Sequence, residues 1–276
     1  WLELAGPDGP AVLDIISAGG DRTPALGAPG RPALDRGALR AQVARMREAL
    51  AGWGIGASDR VAIVLPNGPE AATAFLGVSV AGVAAPLNPN YQAPEFGFYL
   101  SDLNAKAVMV ERGSPSPVVD VARRHGAVVI EAEWADDDPA GVFSMHSDAP
   151  AVKGAPVLPP RPDDVALVLH TSGTTARPKI VPLSRGNLAA STRRVANTLS
   201  LGADDRCLNL MPLFHIHGLV AVVLASLANQ ASVFCCPVFN PLKVFSWLDE
   251  SAATWYSAVP TFHQTILARA ARNRDV

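Results

Sequence analysis

Between two apolar runs the chain carries Leu169–Leu183, "LHTSGTTARPKIVPL", a loop of small hydroxylated residues followed by an arginine and a lysine. These residue types suit a polyphosphate. Gly173 lets the main chain approach closely, Thr171, Ser172, Thr174 and Thr175 offer hydroxyl donors, and successive amides in such a turn form a concave nest for anions. Lys179 adds a point charge and Arg177 a second. One such charge pair at about 4 Å and an effective dielectric near 20 is worth roughly 4 kcal/mol before desolvation. The loop is not a Walker A motif, which needs Gly-Lys-Ser/Thr opening a helix. Here Pro178 precedes Lys179, Ile180 follows it, and a strand follows the loop. An ordinary Ser/Thr-rich turn is the competing reading, and the loop alone does not decide between the two.

The elements that must position this loop read as an α/β chain. Leu39, Val43, Met46 and Leu50 recur at helical spacing across 35–53. "RVAIVL" (60–65) reads as a buried strand, 69–80 as an apolar helix, "GVAAPLN" as a strand and turn, and Pro94 as a helix start. "AKAVMV" and "GAVVIEA" are strands flanking a helix near 118–124. The stretch 136–162 is rich in Asp, Ala and Pro without a period, and reads as a long surface connection holding a candidate subdomain break. Beyond it come the strands "DVALVLH" and "KIVPL", a helix capped by Ser184, and the strand "CLNLMPL". "HGLVAVVLASLA" reads as a buried helix, "ASVFCC" as a strand, and "PLKVFSWLDES" as a helix started by Pro241. "ATWYSAV" and "PTFHQTILARAAR" follow as strand and helix. The alternation predicts mostly parallel sheets covered by helices.

Composition narrows the functional classes. The 276 residues are 49% hydrophobic and 17% charged, with a net charge of −2, which supplies no global basic field for nucleic acid. Mean hydropathy is +0.20, and no apolar run approaches the roughly 18 residues of a membrane span. Cys207, Cys235 and Cys236 form neither a disulfide framework nor a metal spacing, so a cytoplasmic setting is expected.

Further along the chain, the wording becomes specific. "TSGTTARPKIVPLS" resembles the phosphate-binding signature of the adenylate-forming enzymes, usually Thr-Ser-Gly-Thr-Thr-Gly-x-Pro-Lys-Gly. "MPLFHIHGL" (211–219) resembles their next core motif. "GIGASDRVAIVLPN", "AAPLNPNYQAPEFGFYLSD" and "ATWYSAVPTFHQTIL" fit the acid–CoA ligase branch in order and spacing, with wording most like the oxalyl-CoA synthetases of plants and yeast. The resemblance runs from about Leu39 to the end. It departs at Ala176 and Ile180, where the family usually carries glycine. Alanine at a positive-φ site costs on the order of 1 kcal/mol, and Ile180 bears on loop mobility more than on phosphate contact.

The resemblance implies a layered α/β large domain, cut short, with the small C-terminal domain and the later motifs absent. It implies ATP, Mg2+ and CoA as cosubstrates or cofactors of a carboxylic acid. The acid and ATP would give an acyl-adenylate and pyrophosphate, and CoA would displace AMP. Thr171, Ser172, Gly173, Thr174, Thr175, Arg177 and Lys179 would hold the nucleotide phosphates, and Thr175 would also reach Mg2+ through ATP. His215 corresponds to the histidine beside the adenylate. His217, where relatives taking bulky acids carry an aromatic or small apolar residue, would narrow and polarise the acyl pocket, which suits a short dicarboxylate such as oxalate; helix capping is its other reading. Ser257, Thr261 and His263 would border the pocket, against the alternative of packing and N-capping by Thr261. On this reading the 276 residues alone turn over little. A fatty acyl-CoA ligase, a carrier-loading acyl-AMP ligase, and a non-catalytic nucleotide-binding fragment are the alternatives.

Overall fold

The computed structural model describes residues 12–152, 161–171 and 178–271. Its strands form two sheets, mostly parallel, as the alternating pattern predicts. The seven-stranded sheet contains β3 (Arg60–Val64), β4 (Val83–Pro86), β5 (Ala107–Glu111), β6 (Val128–Glu133), β7 (Ser144–His146), β8 (Val165–His170) and β9 (Ile180–Ser184). Their spatial order is β7-β6-β5-β3-β4-β8-β9. Only the outer pairs, β6 with β7 and β8 with β9, are antiparallel. The five-stranded sheet contains β1 (Pro24–Ala28), β2 (Arg31–Asp35), β10 (Arg206–Asn209), β11 (Ser232–Cys235) and β12 (Trp255–Ser257), in the order β12-β10-β11-β1-β2.

Helix α3 (Pro69–Ala81) is buried on every face from Pro69 to Val80. Its small residues permit this: Ala71, Ala72, Ala74, Gly77 and Ser79 let neighbouring elements approach closely. It contacts α2 (Arg36–Gly52) as well as strands of both sheets. One continuous core cluster accordingly spans both sheets, from Leu26 and Ile63 to Val233. A second covers the other face of the seven-stranded sheet beneath α4 (Ala93–Leu103) and α5 (Val118–Arg124).

A helix so enclosed cannot leave its last carbonyls to water. Arg185, 1% exposed, supplies the donors: its Nη1 donates to Ser79 O at 2.5 Å and its Nη2 to Val80 O at 3.5 Å. Arg36 serves α1 (Val12–Ser17) similarly, donating to Ala18 O and Ala231 O. Burial, with Arg40 nearby, pushes its pKa down to about 10. Each arginine opens a helix directly after its N-cap: Asp35 for α2, and Ser184 for α6 (Arg185–Thr198). The Ser184 cap is the one expected from sequence, with its Oγ accepting from Asn187 N.

Some expectations needed correction. The stretch 136–162 contains β7, which pairs with β6 from Glu131 to Glu133; three residues are too short to show an alternating pattern. Helix α8 (Val244–Ser251) begins after Lys243 rather than at Pro241, which lies in the preceding turn. The helix read from "HGLVAVVLASLA" opens as a π-helix, His217–Leu224, and becomes α-helical only in α7 (Ala225–Ala228). Thr261 does not cap α9 (Pro260–Ala270); Val259 occupies that position, without a side-chain bond. α1 and the β1–β2 hairpin were not anticipated.

Arg185→Ala should lower unfolding stability by about 2–4 kcal/mol, because it strands two buried carbonyls at the end of α3. Urea denaturation followed by circular dichroism checks this, and a midpoint equal to that of the unaltered chain would contradict it.

Candidate functional site

In parallel sheets the chain leaves each strand at its carboxyl end, and chemistry gathers there. The chain winds from β3 to β4 on one side and returns to β5 on the other, so its direction reverses around β3. Asn67 lies in the turn after β3. Its Nδ2 donates to Cys236 O at 2.8 Å and Pro237 O at 3.3 Å, and its Oδ1 accepts from Leu213 N at 2.8 Å. The segments following β3, β10 and β11 are thereby joined. Asn209, fully buried, holds the next residues of the same loop: its Oδ1 accepts from Met211 N and its Nδ2 donates to Met211 O.

The loop so held carries "MPLFHIHG". Gly218 is required at its end by a close approach: a Cβ there would lie 2.7 Å from Pro212 O. The start of the π-helix is thereby packed against the loop that carries His215. π-Helical turns are concentrated at functional sites because the extra residue re-aims side chains.

A cavity of about 510 Å3 opens here. Leu169, His170 and Thr171 line it from the end of β8, with Val181 and Leu183 from β9. The loop after β10 contributes Met211, Phe214, His215, Ile216 and His217, and Val259 completes the lining. The wall is therefore largely apolar, with three imidazoles and one hydroxyl set into it. His217 Nε2 lies 2.6 Å from Ser257 Oγ, which joins two of the predicted residues across 40 positions of sequence. Burial lowers the pKa of both His215 and His217, favouring neutral imidazoles. The helix-capping alternative for His217 finds no support, since its side chain is committed to Ser257 and makes no cap bond.

The other predicted residues are placed as follows. Thr171 and Lys179 form the neck of the soft loop: Thr171 N donates to Lys179 O at 3.0 Å, and Lys179 N to Thr171 Oγ1 at 3.2 Å. Ser172, Gly173, Thr174, Thr175 and Arg177 lie outside the described residues, as does Ala176. Ile180 is the first residue of β9, pairs with His170 and packs against the second core cluster. It therefore belongs to the sheet. Ser257, Thr261 and His263 are not among the described residues lining the cavity; Ser257 reaches it only through its bond to His217. His263 Nδ1 instead lies 3.1 Å from the Tyr256 hydroxyl, and Thr261 is exposed. Among the described residues, no group of three or more His, Cys, Asp or Glu could hold a metal ion, and no helix is long and apolar enough to cross a membrane.

Sequence reasoning missed Asn67 and His170. His170 directly precedes the predicted loop, and its position there was the available signal. Its partner Asp102 and the contacts of Asn67 are long-range, and no local pattern marks them.

Two outcomes follow from this geometry. Gly218→Ala should cost about 1–3 kcal/mol by forcing Pro212 O away, readable by thermal denaturation; no loss of stability would contradict the close approach. In the window just below pH 6.5, the ordinary value for both histidines, the unfolded chain binds more protons than the folded one. Stability is then full above that window and is lost as pH falls through it. His217→Asn should flatten this slope in denaturation series between pH 7 and 5, and an unchanged slope would contradict a depressed His217.

Comparison with known proteins places this geometry in a family. The chain is 38% identical over 231 residues to an oxalate–CoA ligase of Saccharomyces cerevisiae, covering 76% of this chain and 42% of the relative. It is 40% identical over 225 residues to an oxalate–CoA ligase of Arabidopsis thaliana, covering 80% and 44%. The chain thus spans less than half the length of these curated relatives. The crystal structure of apo MatB from Rhodopseudomonas palustris superposes with a TM-score of 0.79 at 26% identity, covering 94% of this chain and 51% of that one. The AMP-binding enzyme family model matches residues 23–275, and the chain belongs to that family.

Proposed function

We propose that the protein containing this chain activates a carboxylic acid with ATP and transfers the acyl group to CoA. The observation that carries the reading is the shared cavity. The neck residue Thr171 and the histidines His215 and His217 line one space of about 510 Å3, which supports a nucleotide on the loop having its α-phosphate beside the acid. A carboxylate oxygen attacks the α-phosphorus, the bond to the β-phosphate oxygen breaks, and pyrophosphate leaves. The CoA sulfur, as thiolate, then attacks the acyl carbon and AMP departs. Thr171, Ser172, Gly173, Thr174, Thr175, Arg177 and Lys179 bind the β- and γ-phosphates and stabilise the leaving pyrophosphate by position and charge. Thr175 would be the residue on this chain to meet Mg2+ carried by ATP, and the ion would supply neutralisation of phosphate charge. His215, kept neutral by burial, orients the carboxylate as a hydrogen-bond donor.

For the acid, we favour oxalate or another short acid with a second polar end. His217 lines the cavity and is held by a hydrogen bond to Ser257, which lies behind it, and a desolvated second carboxylate needs a polar partner such as this imidazole. The relatives named oxalate–CoA ligases support the same choice. A bulkier apolar acid is the second reading, favoured by the surrounding Leu169, Val181, Leu183, Phe214, Ile216 and Val259.

The test is AMP release by the longest native form of the protein, with ATP, Mg2+ and CoA and with oxalate, malonate, a medium-chain fatty acid or a cinnamic acid. Release with oxalate or malonate, falling about tenfold or more in His217→Ala through loss of a hydrogen bond to a charged group, is the expected outcome. Release with the fatty or cinnamic acid alone would overturn the short-acid reading, and release with no carboxylic acid would overturn the ligase reading.

A further inference from the structure

His170 lies outside the roles assigned above, yet it stands where the sheet hands over to the phosphate loop. It forms the last ladder pair of the β8–β9 hairpin, with Ile180, before the neck bonds of Thr171 and Lys179. Backbone support for this hairpin tip is one-sided. β9 is an edge strand, and on the other side the β4–β8 register pairs Ala84 with Leu167, short of His170.

Side chains of α4 reach the tip instead. His170 Nε2 lies 3.1 Å from Asp102 Oδ2, with the His170 side chain 7% exposed and Asp102 38%. The Tyr99 ring meets the imidazole edge-on, with centroids 4.6 Å apart. Tyr99 is itself stacked on Tyr91 at 4.9 Å, with their hydroxyls 3.3 Å apart. The imidazole is thus held at one nitrogen by a carboxylate and on its ring by a supported aromatic stack, while it also lines the cavity.

We propose that His170 is a positioning residue for the phosphate loop: the Asp102–His170 pair anchors the loop's neck to α4 and fixes where the β- and γ-phosphates are received. The inference rests on the nucleotide-binding reading above. It adds His170, which adjoins the neck through the backbone, and Asp102, which holds the His170 side chain.

The distinguishing readout is the number of phosphates on the ligand. A neck held in place matters to the β- and γ-phosphates, whereas general weakening of the fold affects every nucleotide alike. Equilibrium binding of α,β-methylene-ATP and of AMP, each with Mg2+, is measured by titration calorimetry on the longest native form. The unaltered protein is compared with His170→Ala, Asp102→Ala and the double variant. The ATP analogue should weaken about tenfold or more in either single variant, with AMP changed less than about twofold and no further loss in the double variant. His170→Gln, whose amide can still donate to Asp102, should recover part of the loss. Asp102 is partly exposed on a helix, so its variant preserves the test if His170→Ala fails to fold. Equal losses for AMP and the ATP analogue, or no loss for either, would overturn the anchoring role. Failure of the unaltered protein to bind the ATP analogue would overturn the nucleotide reading itself, and the inference with it.

Discussion

Helix α3 is enclosed by protein on all sides, and that enclosure constrains the rest of the molecule. A backbone with no access to water must find partners for its ends inside the fold. At the carboxyl end Arg185 reaches from the start of α6 to Ser79 O and Val80 O. At the amino end Asn67, in the turn entering α3, bonds the segments that follow β10 and β11. The helix that joins the two sheets as a shared core is also flanked by the bonds that fix how their carboxyl ends meet. The site inherits its geometry from this arrangement.

At those carboxyl ends, the chemistry comes from loops and the rigidity from strands. The His215 loop is fixed at Leu213 by Asn67 and at Met211 by Asn209, and it packs at Pro212 so closely on Gly218 that no side chain fits there. The phosphate-loop neck is fixed by Thr171 and Lys179. The imidazoles of His215 and His217 therefore face the same cavity as Thr171 at the neck of the soft loop. Such preorganisation is what transfer through an adenylate requires, since most of the barrier reduction comes from placement and fixed dipoles.

Much of this was legible in the sequence, for physical reasons that can be named. Strands such as Arg60–Val64 and Ala107–Glu111 are buried on both faces and read as unbroken apolar runs. Ser184 declared its helix because a hydroxyl three residues before Asn187 has a local partner. The loop from Thr171 and the histidines after Phe214 announced themselves through residue type and order. Features that depend on distant partners stayed hidden. Nothing local says that His217 meets Ser257, that Asp102 meets His170, or that "HGLVAVVL" winds as a π-helix rather than an α-helix. An apolar run has the same composition in either winding. The β1–β2 hairpin carries no clear alternation because Pro24 and Gly27 interrupt its first strand and Pro32 its second.

In the proposed reaction a carboxylate oxygen becomes bonded to the α-phosphorus of ATP. The most direct measurement supplies the acid with 18O in its carboxylate, together with ATP, Mg2+ and CoA, and finds the label by mass spectrometry. Adenylate chemistry predicts one 18O in the phosphate of the released AMP and none in pyrophosphate. Label in inorganic phosphate with ADP as the nucleotide product, or AMP without label, would contradict the account.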